Sequence, residues 1–85
     1  MDERVQVTVE CCGVASRIAG AEHLAVVLPE AATVLDLFEV LAERSTEMAE
    51  LLARCACARG DAIVPRGTQL ADGDELALLP PVAGG

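Results

Sequence analysis

One stretch of this chain limits its folds more than any other. Val34, Leu37, Phe38 and Leu41 recur at i, i+3, i+4 and i+7, a single apolar stripe on a helix. Thr33 is a good N-cap, and Asp36 at the third helical position approximates a capping box and suits the positive helix end. Glu39 and Glu43 take the outer face, so the spacing predicts a helix from Val34 to about Arg44. A helix with one apolar stripe needs one apolar surface to cover it. In 85 residues, enough for one domain, that surface has to come from the β-like segments around it. A domain this small buries only about 60–65% of its unfolded surface, so its core is thin. Phe38 is the one aromatic residue, and the rest of the core falls to Val, Leu, Ile, Ala and Cys.

Those β-like segments are legible. Val5, Val7 and Val9 alternate with Gln6, Thr8 and Glu10, as in a half-buried strand. Gly13 and Gly20 bound what reads as an irregular stretch anchored by Ile18, and His23 to Leu28 is a second β-rich run closed by Pro29. Two strands this close predict a hairpin with a long connection. After the helix comes a short helical turn following Thr46, using Met48, Leu51 and Leu52. Cys55 to Ala58 reads as a strand, Arg59-Gly60-Asp61 as a turn and Ala62 to Val64 as a short return strand. Asp72-Gly73-Asp74 is a tight turn feeding a last strand, Glu75 to Leu79, which Pro80 and Pro81 end. This order predicts an α+β fold of the β-grasp kind, a mixed sheet of four to five strands curled around one main helix. The domain should span residues 1–79, with residues 80–85 as an extended, flexible tail. One sheet face would remain open to a partner.

Charge narrows the partners. Fourteen acidic residues against six arginines give a net charge of −8, which repels phosphate backbones and argues against a nucleic-acid role. A partner with a basic groove would be attracted and steered instead. The chain has no lysine, through a genome preference for Arg codons or through avoidance of self-conjugation at an activated C-terminus. Residues 1–10 lack the apolar run of a signal peptide, and no apolar stretch reaches the ~18 residues that cross a bilayer. A cytoplasmic protein without membrane attachment is expected. There Cys11, Cys12, Cys55 and Cys57 stay reduced. Their C-C and C-x-C spacings do not make a zinc site, and packing is the expected role, ahead of persulfide or metal chemistry. On strands, Cys55 and Cys57 share a face and Cys11 and Cys12 do not. His23 is a lone, strand-edge histidine, and Asp72, Asp74 and Glu75 read as a solvated turn without a calcium loop's spacing. No catalytic set is visible.

The last six residues carry the chemistry. Pro80-Pro81 enforces extended geometry, and six residues reach at most ~20 Å. Gly84 and Gly85 have no side chains, so the end of the chain can thread a narrow channel and approach a nucleotide. A carboxylate delivered there can be activated as an acyl-adenylate, and a sulfur nucleophile then leaves a thiocarboxylate. A terminal Gly-Gly arises by chance in roughly one chain in 200, and rarely behind a diproline and a strand.

The stretch from Leu70 through Asp72-Gly73-Asp74 and Pro80-Pro81 to Gly84-Gly85 resembles the C-terminus of the MoaD/ThiS family of ubiquitin-like sulfur carriers, most of all its MoaD branch, the small subunits of molybdopterin synthase. Val7 to Gly20 is similar to the family's first strand and loop, and Thr33 to Arg44 to its helix. Cys11 and Cys12 stand where the family often has bulky apolar or aromatic residues. The resemblance implies that Gly85 is adenylated by a MoeB/ThiF-like enzyme using ATP, with no cofactor bound permanently to the carrier itself. Sulfur would come from a sulfurtransferase and pass to an acceptor such as MoaE. Pro80, Pro81, Val82, Ala83 and Gly84 would thread the partner's channel, and all catalytic groups would be the partners' own. Carriage for another pathway (thiazole, cysteine or a thio-containing natural product), a ubiquitin-like modifier role, and a plain binding domain are the alternatives.

Overall fold

A computed structural model describes residues 3–81. Its elements are β1 (Arg4–Cys11), α1 (Val14–Ala19), β2 (His23–Pro29), α2 (Val34–Ala42), α3 (Thr46–Leu52), β3 (Ala56–Arg59), β4 (Ala62–Val64) and β5 (Glu75–Leu79). The strands form one sheet in the order β2-β1-β5-β3-β4. β1 pairs antiparallel with β2 and parallel with β5, while β3 pairs antiparallel with both β4 and β5. The fold is therefore the ubiquitin-like β-grasp expected, with five strands. The last strand in sequence lies in the middle of the sheet.

Alternation sets the faces. Val5, Val7, Val9 and Cys11 of β1 are buried on one side, opposite Gln6, Thr8 and Glu10. Leu28 of β2, Leu76 and Leu78 of β5 and Cys57 of β3 join that inner face. Onto it packs the α2 stripe, Val34, Leu37, Phe38 and Leu41, each 3% exposed or less. Burying side chains of this size contributes roughly 1.5–3 kcal/mol each. Thr33 and Asp36 make the anticipated capping box: the Asp36 N–H donates to Thr33 Oγ1 at 3.3 Å, and the Thr33 N–H donates to Asp36 Oδ2 at 2.9 Å. The next two N–H groups, of Val34 and Leu35, donate to the carbonyls of Thr68 and Arg66 at 3.0 and 2.9 Å. The helix start is thus pinned to the loop before β5, which satisfies donors that a helix leaves open. α2 stops at Ala42, two residues before the expected end, and Ser45 caps α3 through the Met48 N–H at 3.0 Å.

One expectation fails. The stretch between Gly13 and Gly20 is a helix, α1, and the two glycines are its ends. Gly13 sits at φ 57°; Gly20, at φ 76°, donates its N–H to the Ser16 carbonyl at 2.9 Å. Glycine adopts these positive-φ conformations without a Cβ penalty. Ala15 is fully buried and Ile18 packs against the core, so six residues are helical through tertiary contact, too short a run to show a period.

The Asp72-Gly73-Asp74 turn is exposed as expected, with Asp74 half-buried, and it is also hydrogen-bonded. The Gln6 N–H donates to Asp72 Oδ1 at 2.8 Å, and the Gly73 N–H donates to the Gln6 carbonyl at 2.8 Å. Asp74 Oδ2 accepts the Ala71 N–H at 2.8 Å and Arg59 Nη1 at 3.2 Å. The turn therefore ties β1, β3 and β5 together where β5 begins. Asp74→Ala removes both acceptor roles and should cost about 1–3 kcal/mol in urea unfolding. A change in unfolding midpoint no larger than that of an exposed control such as Asp61→Ala would show that the turn is merely solvated.

Candidate functional site

The site has to be built from β5 outward, because that strand delivers the C-terminal tail. β5 is held on both sides, Leu78 opposite Cys11 of β1 and Cys57 of β3, and Leu79 opposite Ala56. The chain then leaves from the centre of the sheet through Pro80, half-buried, and Pro81, exposed. Neither proline has an N–H for a neighbouring strand, which ends the ladder at Leu79. Pro81 forms one wall of a surface groove of about 570 Å³ between α1 and α3, lined also by Val14, Arg17, Ile18, Glu47, Glu50, Leu51 and Arg54. The other expected threading residues, Val82, Ala83 and Gly84, and the terminus Gly85 lie outside the described residues.

The sheet face opposite α2 is open, as the single stripe requires. His23, Glu10, Ala77, Ala58 and Ile63 form one row across it from β2 to β4. Ile63 is 68% exposed, and Val27 on the same face 53%. A shallow hollow of about 380 Å³ lies there, lined by Thr8, Glu10, His23, Ala58, Gly60, Glu75, Leu76 and Ala77. Small side chains at Ala58 and Ala77 make the hollow, and the carboxylates of Glu10 and Glu75 make it acidic. His23 is exposed at the start of an edge strand.

All four cysteines are free thiols. Cys11, Cys55 and Cys57 are buried, the last two sharing the inner face, and burial pushes each thiol up from its ordinary pKa. Arg44 beside Cys11, Arg66 and Arg54 beside Cys55, and Arg59 and Arg66 beside Cys57 pull the other way but do not offset the desolvation. A buried neutral thiol is a poor nucleophile, so these three pack. Cys12, just past β1, is exposed. Among the described residues no group of three His, Cys, Asp or Glu side chains is placed to hold a metal ion, and no helix is long and apolar enough to cross a membrane.

Sequence reading missed one structural group, Arg66. Its guanidinium lies 4.7 Å from the Phe38 ring centre and donates to the carbonyls of Leu52 and Cys55 at 2.9 and 3.2 Å. It closes the end of α3 and holds the start of β3 against α2. No local pattern marks an arginine in a Pro-Arg-Gly loop for this.

The thiols give a direct test. In the native protein one thiol should react fast with a disulfide reagent and three slowly, and Cys12→Ser should remove the fast phase. Because the folded pKa values of the buried three are raised, the folded chain keeps thiol protons that the unfolded chain releases. Their contribution to stability should be full below the ordinary thiol pKa and fall away as pH rises through the raised values. Four equally fast thiols would contradict the core as described.

Comparison with known proteins agrees with this geometry. The model of the ThiS family matches residues 11–85. A Pyrococcus furiosus protein designated subunit 1 of the molybdopterin converting factor superposes with a TM-score of 0.82 at 29% identity, over 92% of this chain and 99% of that one. Small archaeal modifier protein 1 of Haloferax volcanii gives 0.81 at 25% identity, over 94% and 99%. In a Helicobacter pylori complex of subunits 1 and 2 of the molybdopterin-converting factor, the similar chain gives 0.66 at 30% identity, over 95% and 100%. A search of curated protein sequences returns no match. With a β-grasp core, a central last strand leading to a Gly-Gly end, and a family match over all but the first ten residues, the chain belongs to the ThiS family of ubiquitin-like sulfur carriers.

Proposed function

We propose that the protein carries sulfur on its C-terminus, most directly for molybdopterin synthesis. The observation that carries this reading is the family match, whose bounds, residues 11–85, take in the Gly-Gly end. The Gly85 carboxylate attacks the α-phosphate of ATP on a MoeB/ThiF-like enzyme, releasing pyrophosphate and forming an acyl-adenylate. A sulfide-level nucleophile supplied by a sulfurtransferase displaces AMP and leaves the thiocarboxylate. That sulfur passes to an acceptor such as MoaE, consistent with the subunit complex to which this chain's Helicobacter pylori neighbour belongs. This chain supplies position and charge: β5 presents the tail, Pro80 and Pro81 keep its base extended, and Val82, Ala83 and Gly84 thread the partner's channel. The catalytic groups are the partners', so the protein acts as a cosubstrate in the cytoplasm. Likeness to a small archaeal modifier favours a second use of the same acyl chemistry, conjugation of Gly85 to a target lysine.

Mass spectrometry of the C-terminal peptide, from protein purified without acid from its native host, tests the reading. Oxygen-to-sulfur exchange adds about 16 mass units, resolvable from Met or Cys oxidation by its place and its loss on hydrolysis. A gain on the Gly85 peptide is expected; an unmodified terminus beside high-mass lysine conjugates would replace carrier by modifier. Gly84→Val should leave stability within about 0.5 kcal/mol. In pyrophosphate exchange it should lower adenylation about a hundredfold, because a β-branched side chain misplaces the carboxylate in the channel. Full adenylation of this variant would refute the threading role.

A further inference from the structure

The two edges of the sheet are built differently. β4 is three residues long and runs straight into Pro65, which blunts it. β2 is seven residues long, pairs with β1 without a bulge, and carries no lysine or arginine and no proline before its last residue. Two bonds that bracket its ladder fix the phase: the Cys11 N–H donates to the Glu22 carbonyl at 2.7 Å, and the Glu30 N–H donates to the Glu3 carbonyl at 3.1 Å. Antiparallel pairs alternate, so Leu24, Val26 and Leu28 bond to β1, while His23, Ala25 and Val27 turn their N–H and C=O groups away from it. Those outward groups meet no partner among the described residues.

Beside this edge, between the end of β2 and α2, lies a mainly apolar groove of about 360 Å³. Leu28, Pro29, Ala32 and Val40 supply its apolar lining, and Val40 is 43% exposed. Its charged lining is all of one sign, Glu30, Asp36, Glu39 and Glu43, and no arginine joins them. None of the four is in an ion pair among the described residues. Free strand donors and acceptors next to an apolar, negatively rimmed groove suit an extended segment that brings cations. We propose that the β2 edge and the β2–α2 groove dock a short extended segment of a partner protein, with an apolar residue between two basic ones on one face. The segment adds a sixth strand by bonding to His23, Ala25 and Val27. Its alternate residues face the groove, the apolar one against Leu28 and Val40 and the basic ones toward the carboxylates. A second copy of this chain is the wrong occupant: its β2 brings no Lys or Arg, and two bodies of net charge −8 repel. The docking is independent of the chemistry at Gly85.

Amide NMR of the full-length protein, titrated with the capped peptide Thr-Lys-Thr-Val-Thr-Arg-Thr, tests the site. Alternation puts Lys, Val and Arg on one face of that peptide and aims the Thr backbone at β2. The His23, Ala25 and Val27 amides should shift and exchange more slowly with solvent as the peptide saturates the protein. Raising salt from about 0.05 M to about 0.5 M should weaken binding about fivefold or more, and Glu39→Gln with Glu43→Gln should weaken it similarly at low salt. N-methylation of the third and fifth peptide residues should abolish binding. So should Ala25→Pro, which an edge strand tolerates because that N–H faces away from β1. Equal binding of Thr-Glu-Thr-Val-Thr-Glu-Thr, or no saturation at millimolar peptide, overturns the proposal. Shifts confined to Glu10, Ala58 and Ala77 overturn it in favour of the open sheet face. Slow exchange of the three β2 amides without peptide, in a protein of dimer mass, overturns it in favour of a second copy.

Discussion

The parallel pairing of β1 with β5 is the constraint on which the rest of the molecule depends. Thr8 to Cys11 lie beside Glu75 to Leu78, so nearly the whole chain is looped out between the two partners. Such a pair cannot be closed by a tight turn; it needs a crossover, and the segment carrying α2, α3, β3 and β4 provides it. Once β5 is between β1 and β3, the inner face is continuous and can cover the α2 stripe. The same placement makes the C-terminus leave from the strongest part of the sheet. The base of the tail is thereby anchored by two ladders, where an edge strand would give one.

Polar contacts hold this arrangement at the places where apolar packing cannot. The Asp72-Gly73-Asp74 turn fixes where β5 enters, by accepting from β1 backbone and from Arg59 of β3. The loop from Pro65 to Leu70 runs along the start of α2, giving carbonyls to Val34 and Leu35 and taking one from Ala32. Arg66 spans from the Phe38 ring to the end of α3. These contacts are modest one by one. They act between elements, so together they set the register and direction of the strand that carries the tail.

In the proposed function the chemistry belongs to the end of the chain, and the body supports it. The thiols of Cys11, Cys55 and Cys57 are packed in the core, and burial suppresses their chemistry. The open sheet face is small-residued and acidic in its centre, with Val27 and Ile63 exposed to either side. The chain belongs to the ThiS family and is similar to both a converting-factor subunit and an archaeal modifier.

Much of this was legible in the residues. The Val34-Leu37-Phe38-Leu41 stripe, the Thr33–Asp36 cap and the Val5-Val7-Val9 alternation are periodic signals that depend only on near neighbours, and each became the predicted element. The Gly-Gly end behind Pro80-Pro81 is read from the residues in the same way, and it lies outside the described residues. The tertiary structure alone decided that Gly13 and Gly20 bound a helix, since six residues with one buried alanine have no period to detect and are held by the core they touch. It alone showed that the exposed Asp72 and half-buried Asp74 also tie strands together, and placed Arg17, Arg54 and Pro81 around one groove. Those residues are far apart in sequence, and their proximity is a property of strand order, which no local pattern encodes.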